Sequence, residues 1–317
     1  MRSRLEGWDA HIAGFPETTF YHTRVWAEIL LRAFPGLRDE SYWLETEGGR
    51  AAVPLFTWRR LGGLLTTRHS SFPFLYGGPV PRRLAQRDLL TELLARQGQG
   101  GASLVVVTNP FAPGEAKPLP SVSVTEDATH LLRLPSDYER FWDHVLTTSK
   151  RNDVRRCTRK GVIIRTGRSE EEVATLYRFY RESFARWGAR PKLVYPEALY
   201  QAMIHLGGEN VRLYIAEHEG KIIGGAFVPR WNEHVHYHAG YFDHAARALR
   251  PNVLIQERII RDAIAERFCD YDFLPSGGNR GVETFKEGFG GVRTLIRRYE
   301  YRSPTHRWID RLRRRHA

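Results

Sequence analysis

The stretch RLYIAEHEGKIIGGAFVPRW, residues 212–231, decides how the rest of the chain is read. Arg212–Glu217 has the apolar run of a strand, Glu219-Gly220 is a turn pair, and Lys221–Trp231 is a second strand. Working outward, Val235–Tyr241 reads as a third strand. Pro251–Arg267 reads as a helix with proline in its first turn. Tyr271–Leu274 is then a short strand, Phe285–Gly291 a compact helical turn and Thr294–Tyr301 a final strand. Upstream, Ser169–Trp187 is a long helix opened by the capping pair Ser169 and Glu172. Val162–Arg165 is a strand, and Ser149–Lys160 is a basic helix stopped by Gly161. His130–Leu134 is a strand that opens this half, followed by a helix with Ser136 as cap and Glu139 three residues on.

The first half carries a weaker copy of the same hairpin. WLETEGGRAAVPLF (43–56) resembles YIAEHEGKIIGGAF (214–227), each a strand, an acidic-glycine turn, a basic residue and a strand. An offset of about 170 residues is too long for a solenoid and fits duplication of a whole domain; two unrelated hairpins are the other reading. Around the first copy lie a helix at Trp26–Phe34, an aromatic Gly/Pro-rich loop at 70–81, a helix at Asp88–Gln97 and a strand at Leu104–Thr108. Residues 109–129 lack periodicity and set the boundary, giving domains 1–129 and 130–317. The length of 317 residues suits two domains.

With 42% hydrophobic and 12% aromatic residues, the chain is globular rather than disordered. Its net charge of +12 points to a polyanionic partner or to a plain basic surface. The charge is uneven. Residues 149–168 hold eight Lys or Arg against Asp153 alone, and 293–316 hold nine Arg against Glu300 and Asp310. Two cysteines, Cys157 and Cys269, make neither a disulfide framework nor a zinc knuckle. The absence of an apolar leader or a long apolar run leads to the expectation of a cytoplasmic protein without a transmembrane segment.

Taken in order, SKRNDVRRCTRKGVIIRTG, LYIAEHEGKIIGGAF, VHYHAGY, RPN and FKEGFG make the second half similar to the FemABX-type aminoacyltransferases and related acetyltransferase-like proteins of the GNAT superfamily. FYHTRVWAEIL and SSFPFLYGGP resemble the degenerate first GNAT domain of that group. The resemblance implies an α/β chain of two tandem GNAT-like domains, each a mixed, mostly antiparallel sheet flanked by helices, with a cleft between or beside them. It implies transfer of an aminoacyl group from aminoacyl-tRNA to an amine on a peptidoglycan precursor or small molecule. No tightly bound cofactor is implied. There are two departures. The long helical insertion of some Fem proteins is missing. The glycine-rich pyrophosphate loop of GNAT enzymes is replaced by DHAARALRPNVLIQER (243–258), where Pro251 removes an N–H that could bind phosphate. This favours tRNA over acetyl-CoA, the alternative donor, although Arg247 and Arg250 could hold a phosphate by charge beside Asn252.

By the same resemblance, Lys286 stabilises the oxyanion of the transfer step and Phe285 stacks on the terminal adenosine. Read alone, the pair is a surface lysine beside a core phenylalanine. His234, His236 and His238 alternate on one expected strand. They span roughly 13 Å, too far to share a metal, so no metal is expected. His236 or His238 is a candidate base for the acceptor amine, or a structural histidine. Tyr237 and Tyr241 share the opposite face and, with Asp272 and Tyr76 of the aromatic loop, are candidates for holding the acceptor. Lys150, Arg151, Arg155, Arg156 and Arg159 form a phosphate-binding stripe or a solvated basic face. The arginine-rich C-terminus, Trp308 to Arg315, is a candidate for weak contact with RNA or an anionic surface. A non-catalytic RNA- or nucleotide-binding protein on a transferase scaffold remains the other class.

Overall fold

The computed structural model describes residues 5–60, 65–71, 75–84, 87–97, 102–112, 116–187 and 194–308. The chain forms two compact units. One comprises the described residues up to Asp127 together with those from Leu295 onward; the other is Ala128–Thr294. The sequence reading assigns the last strand to the second domain, whereas residues from Leu295 onward belong to the first unit and Arg298–Tyr301 pair with Leu104–Val107 there.

In the first unit, Leu37–Asp39, Phe56–Arg60, Leu65–His69 and Ser103–Val107 lie side by side. The expected hairpin is present as Tyr42–Thr46 paired with Gly49–Val53. The helix Arg24–Ala33 is capped by Thr23, whose hydroxyl accepts from the Trp26 N–H at 3.1 Å. Its apolar stripe, Trp26, Ile29, Leu30 and Ala33, is buried. Side chains the size of Ile29 and Leu30 each contribute roughly 1.5–3 kcal/mol when fully withdrawn from water.

The second unit is built around β1 (Val122–Arg133), β2 (Ile163–Gly167), β3 (Val211–His218), β4 (Lys221–Trp231), β5 (His234–His236), β6 (Ala239–Phe242) and β7 (Asp270–Asp272). Its strand order is β1-β7-β5-β4-β3-β2, with β6 also paired to β4. The chain enters this unit within β1 and leaves it within β8 (Val292–Tyr301). Five helices pack with these strands: α1 (Thr148–Arg159), α2 (Glu170–Trp187), α3 (Glu197–Leu206), α4 (Pro251–Ala265) and α5 (Arg280–Glu287).

Local chemistry accounts for the element ends. At α2 the capping box is complete: the Glu172 N–H donates to Ser169 Oγ at 3.1 Å, and the Ser169 N–H to Glu172 Oε2 at 2.9 Å. At Tyr138–Arg140 the cap is Asp137 rather than Ser136, because the Asp137 carboxylate accepts the Arg140 N–H at 2.7 Å. α5 starts earlier than the expected turn at 285. The Asn279 side chain caps it, accepting from the N–H groups of Gly281 and Val282. The α4 side of the sheet is a continuous apolar layer that includes Leu132, Tyr214, Val228, Val235, Ile255 and Ile259. On the opposite face α2 comes close over Gly225, where a Cβ would lie 2.6 Å from the Tyr214 carbonyl oxygen and 2.7 Å from Leu176 Cδ1.

The expected Val235–Tyr241 strand is two strands. β5 pairs in parallel with β7, His234 opposite Asp270 and His236 opposite Asp272. The Tyr237 N–H still reaches the Asp272 carbonyl at 2.9 Å, but the His238 N–H turns to Phe227 at 3.1 Å, and β6 continues against β4 alone. The break moves Tyr237 and Tyr241 to different faces. Tyr237 packs on the α4 layer, and Tyr241 stacks with Tyr180 of α2 and Tyr200 of α3.

Candidate active site

Two constellations in the second unit gather half of the site residues singled out in the sequence. The first is a cavity of about 260 Å³ at the N-terminus of α4. Lys150, Arg247, Arg250, Asn252 and Phe285 all line it, with Phe242 and Asp153. Arg250 sits in the left-handed region (φ 52°) as the residue preceding α4, and Pro251 is the first helical residue. The 243–250 loop is tethered to α1: Cys157 Sγ donates to the Leu249 carbonyl at 3.1 Å, and Arg250 pairs with Asp153. Three cations against one carboxylate give the cavity a positive field suited to phosphate. Asn252 Oδ1 is buried without a hydrogen-bond partner among the described residues.

Lys150 and Phe285 are coupled. The Lys150 ammonium lies 4.2 Å from the Phe285 ring centroid and 5.6 Å from that of Phe289. Burial first, and then Arg250, pull the Lys150 pKa down against the opposing pull of Asp153. One face of Phe285 is therefore occupied by the protein's own cation, which the sequence reading, with an adenosine stacked there, did not foresee.

The second constellation lies where β5 and β7 part. Lys286 is 5% exposed. Its ammonium donates to the Leu274 carbonyl at 2.5 Å. Leu274 adopts φ 57°, and its N–H donates to Asp272 Oδ1 at 2.9 Å. Asp272, fully buried, also accepts the Thr129 hydroxyl and lies 3.4 Å from His236 Nδ1. His130, adjacent on β1, is held below its ordinary pKa by burial and then by the Lys286 charge. The sequence reading treated His130 only as the start of a strand and did not use Leu274. The signal for Leu274 was its place before PSGG, a turn-rich segment.

Several expected roles do not fit this geometry. His236 is fully buried and its pKa is lowered by burial; His238 is pushed down to about 3 by burial and the nearby His236. An imidazole with as little proton affinity as His238 is a poor base at neutral pH, and the shift at His236 is in the same direction. Asp272 spends its oxygens within the fold instead of facing an acceptor. Tyr241 shares a 2.6 Å hydrogen bond with the Tyr200 hydroxyl, and Tyr237 lies across Gly240, where a Cβ would fall 1.6 Å from its hydroxyl. Both tyrosines are framework. Tyr76 is 1% exposed in the core of the first unit, against Tyr21.

The basic stripe on α1 is divided. Arg151 is structural, its guanidinium donating to the carbonyls of Trp142 at 2.8 Å and Leu146 at 2.7 Å. Arg155 and Arg159 line a separate cavity of about 580 Å³ with Tyr138, Trp142 and Arg261, where Glu139 and Asp143 balance part of the charge. Arg156 is exposed and forms no ion pair among the described residues. His234 pairs with Asp270 at 3.4 Å, and among the described residues no group of three or more His, Cys, Asp or Glu could hold a metal ion. The C-terminal arginines from 311 onward lie outside the described residues.

Residues 148–287 match the family described as Acetyltransferase (GNAT) domain, a span that contains the cavity at the start of α4 and, of the second constellation, His236, Asp272, Leu274 and Lys286. They form a GNAT-type acyltransferase domain. Solved structures extend the fold to the whole chain. FemX aligns with a TM-score of 0.65 at 12% identity, covering 92% of this chain and 94% of its own. The C-terminal domain of a putative lysylphosphatidylglycerol synthetase from Agrobacterium fabrum aligns at 0.53 and 12%, covering 93% of each chain. A tandem GNAT protein from the clavulanic acid biosynthesis pathway aligns at 0.50 and 14%, covering 95% of this chain and 96% of its own. The fold is therefore that of FemX and the tandem GNAT proteins. No curated protein matches the sequence. No helix among the described residues is long and apolar enough to cross a membrane.

Proposed function

We propose that the GNAT domain transfers an aminoacyl group from aminoacyl-tRNA to the amine of a peptidoglycan precursor or of a small molecule. One observation carries the choice of donor. The phosphate-binding position at the start of α4 offers side-chain cations instead of a cradle of backbone N–H groups. Pro251 has no N–H, and the Val253 N–H is taken by the Arg250 carbonyl at 3.0 Å. A coenzyme A pyrophosphate is ordinarily held by clustered N–H groups. Lys150, Arg247 and Arg250 suit the more widely spaced phosphates of an RNA end. The likeness to FemX supports the same reading.

In this mechanism the acceptor nitrogen attacks the ester carbonyl and forms the new C–N bond. The carbonyl oxygen gains negative charge, which the Lys286 ammonium stabilises; one of its three N–H groups remains on Leu274. Collapse breaks the ester C–O bond, and the departing ribose oxygen takes up the proton shed by the amine. Low proton affinity at His238 leaves that proton to the leaving group and solvent.

The test is transfer in a reconstituted assay with aminoacyl-tRNA, with and without ribonuclease, beside an acyl-coenzyme A arm. Loss of transfer after ribonuclease is the expected result. Transfer that survives ribonuclease and requires the thioester would overturn the choice of donor. No transfer with either donor, from a protein that still binds RNA, would leave a binding module on a transferase scaffold.

A further inference from the structure

The route from Asp272 to the lysine runs through a single backbone turn. Asp272 ends β7 opposite His236, the last residue of β5, and beyond this point the chain leaves β5 for β6. Its Oδ1 accepts the N–H of Leu274 two residues on, the geometry of an Asx turn. Leu274 is thereby held in the left-handed region, which a side-chain-bearing residue other than Asn or Asp seldom adopts. In that conformation its carbonyl meets the Lys286 ammonium. Thr129 and His236 fix the carboxylate from β1 and β5, so that three strands orient one turn.

We propose that Asp272 is a positioning residue, acting through the Leu274 carbonyl to aim the Lys286 ammonium. The role requires a hydrogen-bond acceptor at Oδ1 rather than a charge or a proton carrier. It rests on the reading of Lys286 as the oxyanion-stabilising group, but it makes a prediction about geometry that does not need turnover. His130 is the reporter, because the Lys286 charge is one of the causes that lower its pKa.

Three variants, read by NMR titration of His130 and by steady-state transfer, test it. Asp272→Ala removes the acceptor. His130 should titrate higher, as the ammonium drifts, and kcat should fall roughly 100-fold with KM little changed, the scale of a misplacement of about 1 Å. Asp272→Asn keeps an acceptor that forms the same turn, so it should leave His130 low and retain most of kcat. Adding Leu274→Gly to Asp272→Ala should recover both readouts, because glycine enters the left-handed region unaided. An unmoved His130 in Asp272→Ala would overturn the proposal whatever happens to transfer. So would an Asp272→Asn variant as inactive as Asp272→Ala with His130 still low, because charge at position 272 would then be the requirement. If Asp272→Ala does not fold, Asp272→Asn alone decides by the same two readouts. If His130 behaves as expected in all three while transfer is indifferent, the turn holds the lysine and it is the catalytic reading of Lys286 that fails.

Discussion

Replacing Lys286 with methionine separates the electrostatic role of this side chain from its packing role. Methionine keeps an unbranched stem of similar length in a site that is 5% exposed, so the packing around the stem survives. The hydrogen bond to the Leu274 carbonyl is lost; bonds involving a charged group contribute about 1.5–3 kcal/mol. Against that loss, an ammonium no longer has to be desolvated, a saving of the same order. Global stability should therefore change by no more than about 1–2 kcal/mol, and the variant should melt as a folded protein. Transfer should respond very differently. Removing one preorganised oxyanion donor costs about 100- to 1,000-fold in kcat, equivalent to about 2.7–4 kcal/mol, with little effect on KM. At the same time His130 should titrate higher, because the Lys286 charge is one of the two leading causes of its depressed pKa. The measurements are initial rates at saturating donor and acceptor, thermal unfolding, and the His130 titration by NMR. A folded variant with the expected rise at His130 and unchanged kcat would refute the oxyanion role outright. An unmoved His130 would refute the geometry from which the role is argued.

Acidification provides a second check. His130, His236 and His238 all have pKa values lowered in the folded chain, first by burial, His238 to about 3. Below the ordinary value near 6.5 the unfolded chain binds protons that the folded chain refuses. The stability that depends on their neutral forms is complete above that pH and is lost as pH falls toward 3. The urea midpoint should therefore drop between pH 7 and pH 5, before carboxylates titrate, and a flat profile would contradict the burial of these rings. Gly225→Ala should destabilise by about 1–3 kcal/mol, roughly 5 °C in melting temperature, because its Cβ would press the Tyr214 carbonyl and Leu176; a melt like that of the parent chain would mean α2 can move off the sheet freely. Tyr200→Phe leaves the Tyr241 hydroxyl buried without its 2.6 Å partner and should cost about 1–3 kcal/mol. Adding Tyr241→Phe should restore part of that loss, and strict additivity in the double-mutant cycle would argue that the two hydroxyls are not coupled.

Much of the second unit was legible because its signals are local. The 211–231 hairpin, the helix stop at Gly161 and the Ser169–Glu172 capping box need only neighbouring residues to act. The cluster at the start of α4 was legible through charge and through Pro251. What escaped is what depends on a partner far away in sequence. HVHYHAGYF alternates like one strand, and alternation alone places Tyr237 and Tyr241 on one face. The change of partner at His238 is decided by Phe227 on β4 and Asp272 on β7, neither of which the periodicity can register. The same holds for Asp272. Its neighbours in sequence suggest a polar residue open to substrate, whereas Thr129 and His236, brought in by β1 and β5, turn it inward.

On the mechanism proposed above, that irregularity has a chemical use. A regular β5 would run on beside β7, and the backbone beyond Asp272 would be drawn into ladder hydrogen bonds. Because the chain leaves for β4 at His238, the segment after Asp272 has no partner strand on the β5 side, although the Phe273 N–H still reaches the His130 carbonyl at 3.0 Å, and it can fold back into the Leu274 turn. A carbonyl that would otherwise serve the sheet then faces the ammonium of Lys286. The site thus depends on a strand that stops pairing, so substitutions that regularise 237–240 should damage transfer even though they touch neither the lysine nor the phosphate cavity. Gly240 is the position to try. A side chain there collides with the end of the Tyr237 side chain, which must turn away and disturb its packing beside the break. Gly240→Ala should lower kcat and move the His130 titration together. A variant in which either readout changes without the other would show that the strand break and the lysine turn are independent features.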